Sequence, residues 1–382
     1  MAGRRTAFPR VRVYATLRSA HLERAHDLSP SSIIYRSRRY DFDTSLVAGL
    51  DLIQAGPIGT ARILARSDVR ELEVNEPLMV SSLRRTVLAV LVARLRAALR
   101  RRRLSVVTYA IANDDPFRPP PGPGLRGRAR RRINRLLVRL AARQIDRVVF
   151  GTTAAEELYT QIVPAIGHAA RTVIPAVPAP CPCLLGAAVD REPDSVLFVG
   201  AFDERKGLAN LLGAWPEVVR RWPAAHLTLV GSGPLLARVQ DFAARRAEVT
   251  VVVDPPRVQI HGVLRAASLV VLLSQRTPRW REQVGLPIVE GLAHGCSVVA
   301  TTETGLAGWL RDHGHLVLDP AATPDDVAAA IVSLIGARRP AASVLADLPE
   351  QDGRLAADAW MFGSTDRARE GATGGARTRW AE

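Results

Sequence analysis

The sequence predicts an α/β protein of two domains, each built on a parallel sheet. Three observations carry this. The chain has 382 residues, and at about 100–200 residues per domain that length suits two domains. Short, solidly apolar runs alternate with stretches of helical periodicity, the pattern of parallel strands buried on both faces. Charge also divides the chain: residues 1–185 carry a net charge of +17 and residues 186–382 a net charge of −2, within an overall +15. Two halves of such different charge face different partners.

In the first half, RVRVYATL (10–17) reads as a strand and SSLRRTVLAVLVARLRAALRRRR (81–103) as a long basic helix. EVNEP (73–77) ends another strand, and LSVVTYAIAN (104–113) is a strand running into an Asn-Asp-Asp-Pro turn. PFRPPPGPGLRGR (116–128) is too rich in proline and glycine for regular structure and is expected to be a mobile loop. RARRRINRLLVRLAARQIDRVVFGTT (128–153) reads as a basic helix, a strand and a turn. The Pro- and Ala-rich stretch 174–195 marks the boundary, with 181–193 taken as the linker between domains 1–180 and 194–340. Residues 341–382 are expected to form a partly disordered tail.

The second half is more legible. DSVLFVGAF (194–202) is a buried strand. The helix after it places Leu208, Leu211, Leu212, Trp215, Val218, Val219 and Trp222 at helical spacing. AAHLTLVGSGP, VTVVV, ASLVVLLSQ (267–275) and CSVVATT supply further strands. LPIVEGLAHG begins a helix with proline in its first turn and Gly295 at its C-terminal cap.

Composition excludes several classes. No run of 18 apolar residues lacks charge, so no transmembrane helix is expected, and MAGRRTAFPR has no apolar core of a secretory leader. Cys181, Cys183 and Cys296 are too few for a disulfide framework, and no pair has metal-finger spacing, so a reducing, cytoplasmic setting and no metal are expected.

Three features concentrate chemistry. Lys206 is the one lysine among 52 basic residues and stands where a strand, ending at Gly200, turns into a helix. A helix N-terminus beyond a parallel strand suits phosphate, and an ammonium there adds a compact cation. Gly231 and Gly233, in LVGSGP, let a ligand approach the backbone closely, or simply turn the chain. Glu282 and Glu290 flank Val284, Gly285 and Leu286, and two carboxylates around a helix start suit a polyhydroxylated ligand such as a ribose or sugar.

Together VGAFDERKGLANLLGAW (199–215), LTLVGSGP (227–234), ASLVVLLS (267–274) and EQVGLPIVEGLAHGCSVVATTETG (282–305) resemble family 4 glycosyltransferases, retaining enzymes of the GT-B fold, in which two Rossmann-like domains face each other across a cleft. The resemblance covers 194–335 well and reaches weakly into 145–180. It implies a nucleotide-diphospho-sugar donor and no metal cofactor. Lys206 would contact the donor diphosphate, Glu290 the ribose and Glu282 the donor sugar. The amides of Val284, Gly285 and Leu286 would approach sugar and phosphate, with Gly231 to Gly233 beside the nucleotide. One departure matters: the family has Arg directly after the glycine at 200, whereas this chain has Ala201, leaving Arg205 to supply the second cation. Failing that, the chain would be a catalytically impaired relative acting as a membrane- or partner-binding module. Another GT-B activity, epimerase or phosphorylase, is the second enzyme reading.

The acceptor belongs to the basic half, where the family's glycine-rich loop is replaced by YATLRSAHLERAHDL (14–28). Asn113 and Asp114 are acceptor candidates, or else form an Asx turn; His21 and His26 read as solvated helix residues. The arginine-rich helices read as a solvated basic face or as a dock for an anionic bilayer at the inner side of a membrane. The latter suits a cell-envelope glycan or lipid-linked glycan acceptor. Nucleic acid is not expected, since no stacking aromatics accompany the arginines.

Overall fold

The computed structural model describes residues 4–39, 42–118, 124–184, 191–278 and 280–363. The first domain holds β1 (Arg10–Leu17), α1 (Ser19–Asp27), β2 (Ser32–Arg38), β3 (Asp51–Gln54), α2 (Pro57–Arg66), β4 (Glu71–Val74), α3 (Leu83–Leu99), β5 (Ser105–Ala110), α4 (Leu125–Ala142), β6 (Arg147–Phe150), α5 (Thr153–Ile162) and β7 (Ala170–Val173). The second holds β8 (Ser195–Val199), α6 (Leu208–Arg221), β9 (His226–Val230), α7 (Leu236–Ala243), β10 (Val249–Val252), α8 (Arg257–Ala266), β11 (Leu269–Leu272), α9 (Leu286–Ala293), β12 (Ser297–Thr301), α10 (Ala307–Asp312), β13 (Leu316–Leu318), α11 (Pro324–Ala337) and α12 (Ala341–Ala346). A last helix, α13 (Gly353–Phe362), returns to the first domain.

Every pairing within the two sheets is parallel. Strand order is β3-β2-β1-β4-β5-β6-β7 in the first sheet and β10-β9-β8-β11-β12-β13 in the second. The order reverses at β1/β4 and at β8/β11, and ligands of open parallel sheets bind beyond the carboxyl ends of the strands at such points. All residues of β8, β11 and β12 are buried, because helices cover both faces. The expected apolar stripe of α6 is the buried one: Leu208, Leu211, Leu212, Trp215 and Val218 enter the core, with Val219 and Trp222 packed at its edge.

Of the expected tail, residues 341–363 form α12 and α13, while 364–382 lie outside the described residues. The reason is packing: Ala357 and Met361 of α13 join Val107 and Val149 on one face of the first sheet. Glycine-proline composition fails to place the start of α4, which begins at Leu125; residues 119–123 of the expected mobile loop lie outside the described residues.

Candidate functional site between the domains

The chain leaves β8 through Gly200 and enters a short helical turn, Glu204–Lys206, capped by the Asp203 carboxylate on the Arg205 amide (2.9 Å). Gly207 then adopts φ +70°, and a Cβ there would lie 1.8 Å from the Leu273 carbonyl. Only glycine fits, so the turn is pinned against the end of β11. Gly231 is a second such point: at φ +145° its Cβ would meet the Gly200 carbonyl at 1.9 Å. Gly233, at φ +153°, rests on the Phe202 backbone. These glycines close the β8 and β9 turns onto each other.

Lys206 Nζ is hydrogen-bonded to the Glu282 carboxylate. The pair straddles the β8/β11 reversal, since Lys206 follows β8 and Glu282 follows β11. Glu282 also accepts from Ser274 Oγ (3.1 Å), and both side chains are almost wholly buried. The Lys206 ammonium lies 5.0 Å and the Arg205 guanidinium 4.6 Å from the centroid of the same Trp280 ring. Arg205 thus stands beside Lys206, held by Asp203 at 3.3 Å. Trp280 carries no motif of its own; its nearness to Glu282 in sequence was the only signal available.

The loop 282–285 is fixed from behind by β12's exit: Thr304 Oγ1 donates to the Val284 carbonyl (2.8 Å) and the Gly305 amide to the Gln283 carbonyl (2.9 Å). Gly285 opens α9 at φ +87°, Leu286 is half exposed and Pro287 occupies the first turn. Pro287 has no N–H and the Ile288 amide donates to the Gly285 carbonyl (3.0 Å), so of the first turn of α9 the Leu286 amide is the donor this edge can offer a ligand.

Glu290 stands one turn inside α9 and is held differently. Its carboxylate accepts from Arg257 of α8 (2.8 Å), and Arg257 also reaches Glu23 of α1 (3.0 Å). Burial works against the Arg257 charge, but Glu290 and Glu23 outweigh it and hold the guanidinium pKa above its ordinary value. The structure therefore brings Lys206 and Glu282 into contact, while Glu290 takes part in a bridge between the domains.

Asn113 and Asp114 also bridge. Asn113 is buried and donates to the Glu282 carbonyl (2.7 Å); its own carbonyl accepts from Arg281 (2.8 Å), which grips Glu303 (2.7 Å). Asp114 pairs with Arg276. Neither an Asx turn nor solvent is the partner here. Sequence periodicity could not show this, because the partners lie over 160 residues away. Asn113 is positioned by Glu76, whose carboxylate accepts from the amides of Ile111 (3.2 Å) and Ala112 (3.0 Å) and from Tyr159 Oη (3.2 Å).

Burial pushes the Glu76 carboxyl up to about 7, more than its three donors pull it down. A raised carboxyl pKa makes the folded state bind more protons than the unfolded one between about pH 4.5 and 7. Stability should therefore fall as pH rises through that window, by about 3 kcal/mol at most. Glu76→Gln keeps an acceptor without the charge. Urea unfolding at pH 5 and pH 7.5 should show this decline in the wild type and a flatter profile in the variant.

The histidine expectation is corrected for His21. It stacks on Tyr14 (5.2 Å between centroids) at the mouth of β1, and its pKa is lowered to about 4 by burial and by Arg24 and Arg18. It is a neutral packed ring, not a solvated one. Cys181, Cys183, His261 and His294 converge in the fold, although no two of them have finger spacing.

Comparison with known proteins fits this geometry. Residues 193–337 match the family model for glycosyl transferases group 1. Phosphatidyl-myo-inositol mannosyltransferase of Mycobacterium tuberculosis (strain ATCC 25618 / H37Rv) is 37% identical over 147 residues, 37% of this chain and 36% of that protein. D-inositol 3-phosphate glycosyltransferase of Segniliparus rotundus is 33% identical over 156 residues, 39% of this chain and 34% of that protein. The match thus spans about a third of the length of these relatives. Among solved structures, Anabaena Alr3699/HepE in complex with UDP superposes with a TM-score of 0.61 at 15% identity, over 95% of this chain and 98% of that one. The lipopolysaccharide outer core galactosyltransferase WaaB superposes at 0.60 and 10% identity, over 95% and 99%. Residues 193–337 of this chain are thus similar to the glycosyl transferases group 1 family, within a protein of GT-B fold.

Proposed function

We propose that the protein is a retaining glycosyltransferase that moves a sugar from a nucleotide-diphospho-sugar to a lipid-linked or other cell-envelope glycan acceptor. The observation that carries this reading is the Lys206–Glu282 pair at the β8/β11 reversal, beside the N-terminus of α9. Breaking a glycosyl–phosphate bond leaves negative charge on the diphosphate and builds positive character on the sugar. Lys206, Arg205 and the amides of the Val284–Leu286 turn suit the first; the Glu282 carboxylate, released when phosphate takes the ammonium, suits the second. The transfer needs no metal if these cations suffice. Glu290 accepts the ribose hydroxyls once Arg257 yields it. The relatives named as inositol-lipid mannosyltransferases and the UDP-bound neighbour make GDP-mannose and UDP-sugars the first donors to try.

The impaired-relative reading rests on Ala201. Arg205 standing beside Lys206 on Trp280 favours the enzyme. The deciding experiment titrates UDP, GDP and their sugars against the wild type, then follows turnover with a lipid acceptor and the anomeric configuration of the product by NMR. Micromolar binding with a retained anomer supports the proposal. Vesicle binding with no nucleotide affinity supports the module instead, and an inverted anomer refutes retention.

The acceptor face is the first domain. Leu91, Leu95 and Leu99 form an exposed stripe on α3, and Ile133 and Leu136 are exposed on α4 among many arginines. No helix among the described residues is long and apolar enough to cross a membrane. Exposed leucines flanked by arginines suit the interface of an anionic bilayer. Leu95→Glu combined with Ile133→Glu should cut co-sedimentation with phosphatidylglycerol vesicles about tenfold, while leaving neutral phosphatidylcholine vesicles equally poor partners. Undiminished binding by the variant would remove this face from the proposal.

A further inference from the structure

We propose that Cys181, Cys183, His261 and His294 form a zinc site that ties the interdomain linker to the donor domain. The four ligand atoms lie within 4.8 Å of one another. Cys183 Sγ is 3.3 Å from His294 Nε2, His261 Nδ1 is 3.1 Å from His294 Nε2, and the two sulfurs are 2.7 Å apart as free thiols. A tetrahedral zinc with ordinary Zn–S and Zn–N bonds separates its ligands by about 3.3–3.8 Å. The Cys183–His294 and His261–His294 edges lie within about 0.3 Å of such a site, and the two sulfurs need to part by about 1 Å.

The histidines make zinc the better reading than a simple dithiol. His294 Nδ1 lies 2.7 Å from the Glu290 carbonyl. A proton on Nδ1 donates to that carbonyl, so Nε2 turns its lone pair toward the Cys183 sulfur, the arrangement usual for metal-bound imidazole. Two thiolates and two neutral imidazoles form a borderline-soft set that closes a four-coordinate site, which favours structural zinc over calcium or magnesium. Binding ionises both thiols and releases two protons to solvent.

The position gives the site its meaning. Cys181 and Cys183 come from the linker, His261 from α8 and His294 from the C-terminal cap of α9. The Cys181 amide already donates to the Ala293 carbonyl (2.8 Å), and Arg191 to the Gly295 carbonyl (2.8 Å). The same two helices present Arg257 and Glu290 to the cleft. A metal here would fix the hinge end of the linker to the helices that carry the donor side of the site.

The test uses the full chain, purified with its thiols reduced, loaded with zinc and freed of excess by gel filtration. About one zinc per chain by mass spectrometry is expected, as are thiolate-to-cobalt charge-transfer bands after cobalt substitution. Chelation should lower the melting temperature and zinc should restore it. Cys183→Ser and His261→Gln should each weaken binding at least tenfold; because His261 is only half buried, its variant retains the fold should the cysteine variant lose it. Less than a tenth of an equivalent in folded, reduced protein overturns the proposal. So does zinc that neither variant weakens, or a Cys181–Cys183 disulfide in protein prepared without oxidant.

Discussion

Lys206→Ala is expected to lower kcat/KM for the nucleotide-sugar by about 10²–10³-fold, or roughly 3–4 kcal/mol of transition-state stabilisation. Two effects combine. The diphosphate loses the ammonium at the end of β8, and Glu282 loses its cationic partner while Ser274 remains its one hydroxyl donor. An unmasked buried carboxylate then repels the incoming phosphates. The double variant Lys206→Ala with Glu282→Gln separates the two contributions. Removing the negative charge should restore part of the nucleotide affinity without restoring turnover. Calorimetric titration with the nucleoside diphosphate reads the first and steady-state kinetics the second. Wild-type turnover in the single variant would end the assignment of Lys206.

Glu73→Ala should cost about 3–5 kcal/mol of stability, because it breaks a buried ionic cluster from one side. Arg12 on β1 and Arg354 on α13 both bond Glu73 on β4, and Arg12 also bonds Asp358 on α13 (2.6 Å). All four side chains are buried. Without Glu73, two guanidinium groups share one carboxylate. The interaction spans the chain, since α13 is the last helix among the described residues and must cross back from the second domain to meet β1 and β4. The Gly353 amide on the Val177 carbonyl (2.9 Å) marks where this return strand of chain meets the outgoing one. Urea unfolding should show the loss, and Glu73→Ala combined with Arg354→Met should recover part of it as a coupling term. A single-variant loss below about 1 kcal/mol would show the cluster to be replaceable packing.

The turn around Lys206 and the start of α9 were legible because their elements are local. A glycine that must tolerate positive φ, a lysine at a strand end and a proline in a first helical turn each announce themselves within a few residues. Lys206 and Glu282 follow adjacent parallel strands, β8 and β11, and so emerge at the same carboxyl edge of the sheet. The partners of Glu290, Asn113 and Asp114 were not legible. Arg281 and Arg276 reach Asn113 and Asp114 across the gap between domains, as Glu23 reaches Arg257, the partner of Glu290, and no periodicity encodes a distance between two rigid bodies. His21 was misjudged for a related reason: it reads as a solvated helix residue, but Tyr14, within the preceding strand β1, stacks on it.

The sequence by itself determined the two parallel sheets, the helices that cover them and the glycine and helix-start turns at their edges, because apolar periodicity, glycine conformation and helix-start chemistry act over a few residues. Only the tertiary structure decided which charges meet. The Arg12–Glu73–Arg354–Asp358 cluster, the Arg257 bridge and the Cys181–Cys183–His261–His294 cluster join residues tens to hundreds apart in the chain. Such contacts depend on where the chain crosses back between domains, which follows from the packing of whole sheets and helices.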